Sequence, residues 1–153
     1  MTAVLAFLIG AIAGLRALTA PAAVSLAARA GWLGLAATPL AFLGYAYTPW
    51  ILGAMALGEL VTDQLPTTPS RLVPMQFGAR LVTGGLSGAA IGAGAGSLVM
   101  GLVAGVVGAV AGTYGGHAAR ARLAAAFGSD LPAALLENAV ALGGAFLVAS
   151  ALR

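Results

Sequence analysis

Residues 77–116 read FGARLVTGGLSGAAIGAGAGSLVMGLVAGVVGAVAGTYGG, and Arg80 is the only formal charge in them. An apolar segment of about 20 residues is what a membrane-crossing helix needs. This stretch holds two, from about Phe77 to Ala95 and from about Leu98 to Tyr114. Gly84, Gly88, Gly92 and Gly96 recur every four residues, as do Gly101 with Gly105, and Gly108 with Gly112 and Gly116. Each set therefore shares one face of a helix. Such ridges of small residues let helix backbones approach closely where lipid supplies no hydrophobic drive. Tight helix packing, within one chain or between copies, is the expected use. A glycine-lined pore is the alternative, and no phosphate-loop pattern is present.

The rest of the chain agrees. It is 61% hydrophobic and 7% charged, with a mean hydropathy of +1.03, against about 25% charged residues in an ordinary soluble domain. The net charge of +3 comes from seven arginines and four acids, with no lysine. These arginines are dispersed, so membrane anchoring explains them and no nucleic-acid partner is expected. Without cysteine there is neither a disulfide nor a thiolate metal site.

Working outward, the first helix is expected from Thr2 to Leu18; no basic residue precedes its apolar run, so it reads as retained rather than as a signal peptide. Pro21 starts a short amphipathic helix that closes at Arg29 and Gly31. Thr38-Pro39 and Thr48-Pro49 are two helix starts, so residues 39–47 read as a re-entrant or broken piece feeding a helix from Pro49 to Gln64. Two prolines in Leu65–Arg71 make an exposed loop. Ser129-Asp130 caps a last helix over Leu131–Leu152. The expected fold is all-α: one integral membrane domain over residues 1–153, a bundle of about five spans with short amphipathic or re-entrant helices.

Gly10-Ala11-Ile12-Ala13-Gly14 reappears as Gly108-Ala109-Val110-Ala111-Gly112, each followed by an arginine-bearing segment and then an apolar helix with one glutamate, Glu59 or Glu137. Read as a duplication, the units are 1–75 and 98–153, joined by a helix at 77–95. Three spans between the starts would invert the second unit, a plan common among transporters, with the site at the repeat interface.

A charge at bilayer depth costs upward of about 2.5 kcal/mol unless paired or wet, which singles out Arg16, Glu59, Asp63, His117, Glu137 and Asn138. Glu59 and Asp63 are four apart and share a helix face, where they either hold a cation or proton, or lock the bundle, with Glu59 paired to Arg16 or Arg80 and Asp63 at the interface. Glu137 is expected opposite Glu59 across a central cavity. His117, beside Arg120 and Arg122, reads as interfacial; with Arg71 and Arg80 these form the expected lipid or loop contacts. One histidine among scattered acids makes no metal site, and no catalytic triad or cofactor is read.

Gly58-Glu59-Leu60-Val61-Thr62-Asp63-Gln64-Leu65-Pro66-Thr67-Thr68-Pro69-Ser70-Arg71 resembles the signature of a family of bacterial membrane proteins called domain of unknown function 4126, as does Ala13-Gly14-Leu15-Arg16-Ala17-Leu18-Thr19-Ala20-Pro21. The likeness covers nearly the whole chain. It implies a compact integral membrane domain with Arg16, Glu59, Asp63, Pro66, Pro69 and Arg71 at motif positions, and supplies no substrate.

With five spans, Arg71, Arg80, Arg120 and Arg122 share a side with the N-terminus while Arg16, Arg29 and Arg153 lie opposite, a weak bias that leans towards a cytoplasmic N-terminus. The expected location is the inner (cytoplasmic) membrane. The leading functional expectation is a small transporter or channel-like protein that moves a small solute or ion, with Glu59, Asp63, Glu137, Arg16 and Asn138 as site candidates. The alternative is a lipid-binding or scaffold protein whose glycine ridges, Gly84, Gly88, Gly92, Gly96, Gly108 and Gly112, build a homo-oligomer among membrane lipids. A membrane enzyme ranks last, for want of a nucleophile.

Overall fold

A computed structural model of the chain describes residues 1–65 and 67–153. Pro66, one of the motif prolines, lies outside the described residues. The described residues form six α-helices, one 3-10 turn and no strand. The helices are α1 (Thr2–Leu15), α2 (Thr19–Arg29), α3 (Thr48–Thr62), α4 (Pro74–Gly94), α5 (Leu98–Phe127) and α6 (Asp130–Ser150). The all-helical expectation holds. Two helices, α5 and α6, are long and apolar enough to cross a membrane, at about 45 Å and 32 Å for 1.5 Å per residue. Helix α1 is apolar but only 14 residues long, and α4, with 21 residues, carries Gln76 and Arg80 in its first two turns.

The first helix stops at Leu15, three residues short of the expected Leu18, because Arg16 turns extended (φ −141°, ψ 109°). The Ala17 and Leu18 N–H groups, which a continuing helix would have used, go instead to the Glu59 carboxylate. Helix α2 then starts with Pro21 in its first turn, where an N–H is not missed. Residues 39–47 do not cross: they hold a single 3-10 turn, Ala41–Gly44, tucked beside α2 by a hydrogen bond from Ser25 Oγ to the Leu43 carbonyl. Pro49 and Pro74 sit in the first turns of α3 and α4. The apolar and amphipathic parts after Leu98 are one unbroken helix, closed by Gly128 at φ 69°.

Glycines set how the helices meet. A Cβ placed on Gly10 would fall on the Gly105 backbone, one on Gly14 on Ala109 and Thr113, and one on Gly108 on Phe7 and Ala11. Residue numbers rise together, so α1 and α5 run parallel in near-backbone contact. Gly84 faces Gly105, Gly88 faces Gly101 and Gly92 faces Ser97, so α4 runs antiparallel to α5. Gly116 and Gly112 continue the α5 ridge against Leu15 and Ala11. Gly96 is the exception: at φ 73° it makes the α4–α5 turn, with open space where a Cβ would stand. The ridges are spent on partners within the chain, so they give no surface for the homo-oligomer expected from them.

Helix α6 runs against α1, with Gly144 on Ile12 and Asn138 on Arg16. Helix α2 leads away from Arg16 towards the end where Trp32 stacks under the Arg153 guanidinium, 4.4 Å from the ring centre. Both chain ends thus share one end of the bundle, and Arg16 shares the other with Arg71, Arg80 and Arg120, contrary to the five-span division of the arginines. The two GA-hydrophobe-AG helices, α1 and α5, are parallel, where an inverted repeat would set them antiparallel. Helix α3 arrives at the Arg16 end with Glu59 near its close, and α6 leaves that end with Glu137 near its start.

The interior is filled mostly by alanine, with Ile9, Ile12, Val24, Leu43 and Ile91, whereas large apolar side chains such as Trp50, Met55, Val103, Val107, Leu135, Val140, Phe146 and Leu147 face outward.

Gly88→Ala is expected to lower stability by about 1–3 kcal/mol, since its Cβ has backbone on the far side and no flexible side chain to displace. Gly143→Ala, which meets nothing within 4 Å, is expected to be neutral or stabilising by up to about 1 kcal/mol. Thermal melting of the two purified variants checks the contrast; equal shifts would refute it.

Candidate functional site

All four acids of the chain, Glu59, Asp63, Asp130 and Glu137, gather at one end of the bundle with four of its seven arginines, Arg16, Arg71, Arg80 and Arg120. Arg16 is the centre. It has no exposed surface, being delivered between α3 and α6 by the break after α1. Its Nη1 donates to Asp63 Oδ2. Its Nε and Nη2 donate to Asn138 Oδ1, the former at 2.9 Å, and Nη2 also lies 3.5 Å from Glu137 Oε1.

Asp63 and Glu137 pass the pairing on. Arg80 Nη2 is 3.9 Å from Asp63; Arg71 Nη2 donates to both Glu137 oxygens at 2.9 Å; Arg120 Nη1 is 3.8 Å from Glu137. Arg120 also grips Asp130 through Nε and Nη2, at 3.0 and 2.6 Å. The result is an alternating chain of charge, Arg80, Asp63, Arg16, Glu137, then Arg71 and Arg120, ending at Asp130. Alternation is what makes the burial tolerable, because an unpaired ion in such a place costs several kcal/mol.

Helix ends complete the balance. Glu59, at 2.7 and 2.8 Å from the Ala17 and Leu18 N–H groups, places its carboxylate at the start of α2, where backbone donors and the helix dipole favour negative charge. Arg80 Nη1 donates to the carbonyls of Gly14 and Leu15, at 2.9 and 2.7 Å, and so covers the negative end of α1. The two acids on one face of α3 therefore divide the work opposite to expectation: Asp63 takes the arginines and Glu59 takes backbone. Arg71 and Arg80 are buried pair members rather than lipid contacts. His117 and Arg122 are exposed.

Above this cluster opens a polar pocket of about 470 Å³, walled by Asp63, Arg71, Arg80, His117, Arg120 and Asp130, with Gln64, Thr68, Ser70 and Gln76. Gln76 and Asp130 were not among the sequence candidates. Asp130 was read only as part of a helix cap, although its position across the Gly128 turn from Arg120 was a usable signal. Among the described residues no three histidine or carboxylate side chains converge on one point, since an arginine separates each acid from the next. Comparison of the chain with protein-family models, curated proteins and solved structures finds no match.

Arg16→Met is expected to destabilise the fold by about 3–5 kcal/mol by leaving Asp63 and Glu137 short of a partner. Adding Asp63→Asn should recover part of that loss. A double-mutant cycle in chemical denaturation measures the coupling, and additive losses would show that the pair carries no shared energy.

Proposed function

We propose that this chain is a small multi-pass membrane protein of transporter or channel-like type, in which a solute enters the polar pocket and reaches the charge cluster beneath it. The observation that carries the reading is the reversal of the usual distribution: Arg16, Arg71, Arg80 and Glu137 are buried inside, under an open polar pocket, while leucine, valine, tryptophan and phenylalanine are exposed on the outside. Such a surface suits lipid, and ionisable groups inside a membrane bundle mark solute or proton paths more often than they mark stability. The two segments that resemble domain of unknown function 4126 supply Arg16, Glu59, Asp63 and Arg71, which meet in this one cluster; this is the kinship we favour.

Helices α1 to α6 alternate in direction, and read as six traverses, with α1, α2 and α3 as the short ones, they would leave both termini on one side. Arg16, Arg71, Arg80, Arg120 and Arg122 then lie towards the pocket side against Arg29 and Arg153, and the excess favours a cytoplasmic pocket, with the N-terminus on the side opposite to that expected from five spans. In this reading a passing solute exchanges partners with the alternating ion pairs. Glu59, held by backbone rather than by an arginine, is the acid at which proton uptake would loosen α2 from α3.

A second reading has its own observation. An apolar groove of about 760 Å³ between α2, α3 and α6, lined by Leu26, Trp50, Leu57 and Phe146 among others, suits an acyl chain and a lipid-binding role without transport.

The chain has no cysteine, so single-cysteine variants label cleanly. In inner-membrane vesicles of known orientation, Ser70→Cys is expected to react with an impermeant maleimide from the cytoplasmic face and Ala36→Cys from the other; the opposite pattern reverses the orientation, and a shielded Ser70→Cys removes the open port. In proteoliposomes, stopped-flow light scattering over a panel of small neutral, anionic and cationic solutes should show at least one that crosses faster than in protein-free vesicles, with Glu59→Gln abolishing any pH dependence. Uniformly slow passage would favour the lipid-binding reading.

A further inference from the structure

The apolar groove beside α2 has a mouth of different chemistry from its length. Helices α3 and α6 each pack on α2 and stand apart from one another along it, which leaves the opening of about 760 Å³. Small side chains make its floor, with Ala22, Ala27 and Ala145 buried, and large exposed ones make its walls, with Trp50, Leu57 and Phe146. Among the described residues no charged side chain lines it. A hydrocarbon chain fills such a groove without leaving a polar group of its own unmet.

At the mouth, Trp32 lines the groove and the Arg153 guanidinium lies over its ring, 4.4 Å from the centre. A cation–π stack takes the face of a guanidinium and leaves its N–H edge for an oxyanion. Arg29 stands at the same end; both arginines are exposed, and neither joins an ion pair among the described residues. All four acidic side chains gather at the opposite end. The N-terminal ammonium and the C-terminal carboxylate cancel, so Arg29 and Arg153 leave this end with an excess of positive charge. Both tryptophans and two of the three tyrosines, Tyr45 and Tyr47, lie between the close of α2 and the first turn of α3, and such aromatic clusters sit at the level of lipid head groups.

We propose that the groove between α2, α3 and α6 is a specific seat for one anionic phospholipid, with an acyl chain along the alanine floor and the phosphate against Arg153, in the field of Arg29. The site rests on the reading of this groove as an acyl-chain seat and does not depend on transport through the polar pocket. Charge complementarity decides the occupant. A second copy of this chain inserted in the same sense would bring its own two arginines to the mouth, and a zwitterionic lipid would leave the excess in place, whereas an anionic head group neutralises it.

The chain carries its own probe, because both of its tryptophans line the groove. Trp50→Phe leaves Trp32 as the only one, and bromine on a lipid acyl chain quenches indole fluorescence on contact. The full chain is reconstituted in mixed phosphatidylcholine and phosphatidylglycerol vesicles with one of the two lipids brominated at a time. Both lipids are expected to quench Trp32, and phosphatidylglycerol to be preferred about fivefold, the scale of one arginine at an anionic surface. Arg153→Gln should bring the preference close to one, Arg153→Lys should retain it, and Arg122→Gln, at the far end, should leave it unchanged. Gly53→Leu adds a side chain on the groove wall, where nothing stands within 4 Å of a new Cβ, and should lower quenching by both lipids. Equal quenching by the two lipids, or a preference that survives Arg153→Gln, overturns the anionic site and leaves the acyl-chain seat in place. No quenching of Trp32 by either lipid, with Trp50 quenched in Trp32→Phe, overturns the seat itself and assigns the groove to a protein partner.

Discussion

Arg16 is the constraint that the rest of this bundle is arranged around. A guanidinium without solvent contact must have its donors accepted and its charge matched, and here that demand recruits two other helices: Asp63 at the close of α3, and Glu137 with Asn138 in the third turn of α6. The chain must leave the helix at Arg16 to put it there, which frees the Gly14 and Leu15 carbonyls and the Ala17 and Leu18 N–H groups. Arg80 and Glu59 answer those. One buried cation thus fixes where α1 ends, where α2 begins, and which ends of α3, α4 and α6 meet.

Local signals carried most of the helix map. Proline at a helix start, four-residue glycine spacing and the Ser129-Asp130 boundary are short-range features, and each fell within a few residues of the observed element. Relations between distant segments were not legible in the same way. The repeated GA-hydrophobe-AG pattern marks two helices that meet the same packing demand from facing sides, since small residues recur wherever backbones touch. The return of the chain along the bundle through α2 is not legible either, because eleven residues read as a short surface helix, and that reading puts Arg16 and Arg153 at one end.

For the site, residue types were readable and pairings were not. Arg16, Glu59, Asp63, Glu137 and Asn138 stood out because polar groups in apolar helices require a reason. Which acid meets which arginine depends on rotation about each helix axis, and a turn of about 100° per residue is beyond what composition resolves. Asp63, one turn beyond Glu59, points to the arginines, whereas Glu59 looks at the start of α2.

The parallel contact of α1 with α5 bears on how the molecule is made. Helix α1 is synthesised before α2, α3 and α4, yet the backbone it packs against, from Gly105 to Thr113, is synthesised after them. Until then a short apolar helix ending in an arginine has neither its glycine groove nor its carboxylates. Helix α1 is therefore seated only after the four helices that follow it have been made, and Arg16 is without its carboxylate partners in the interval.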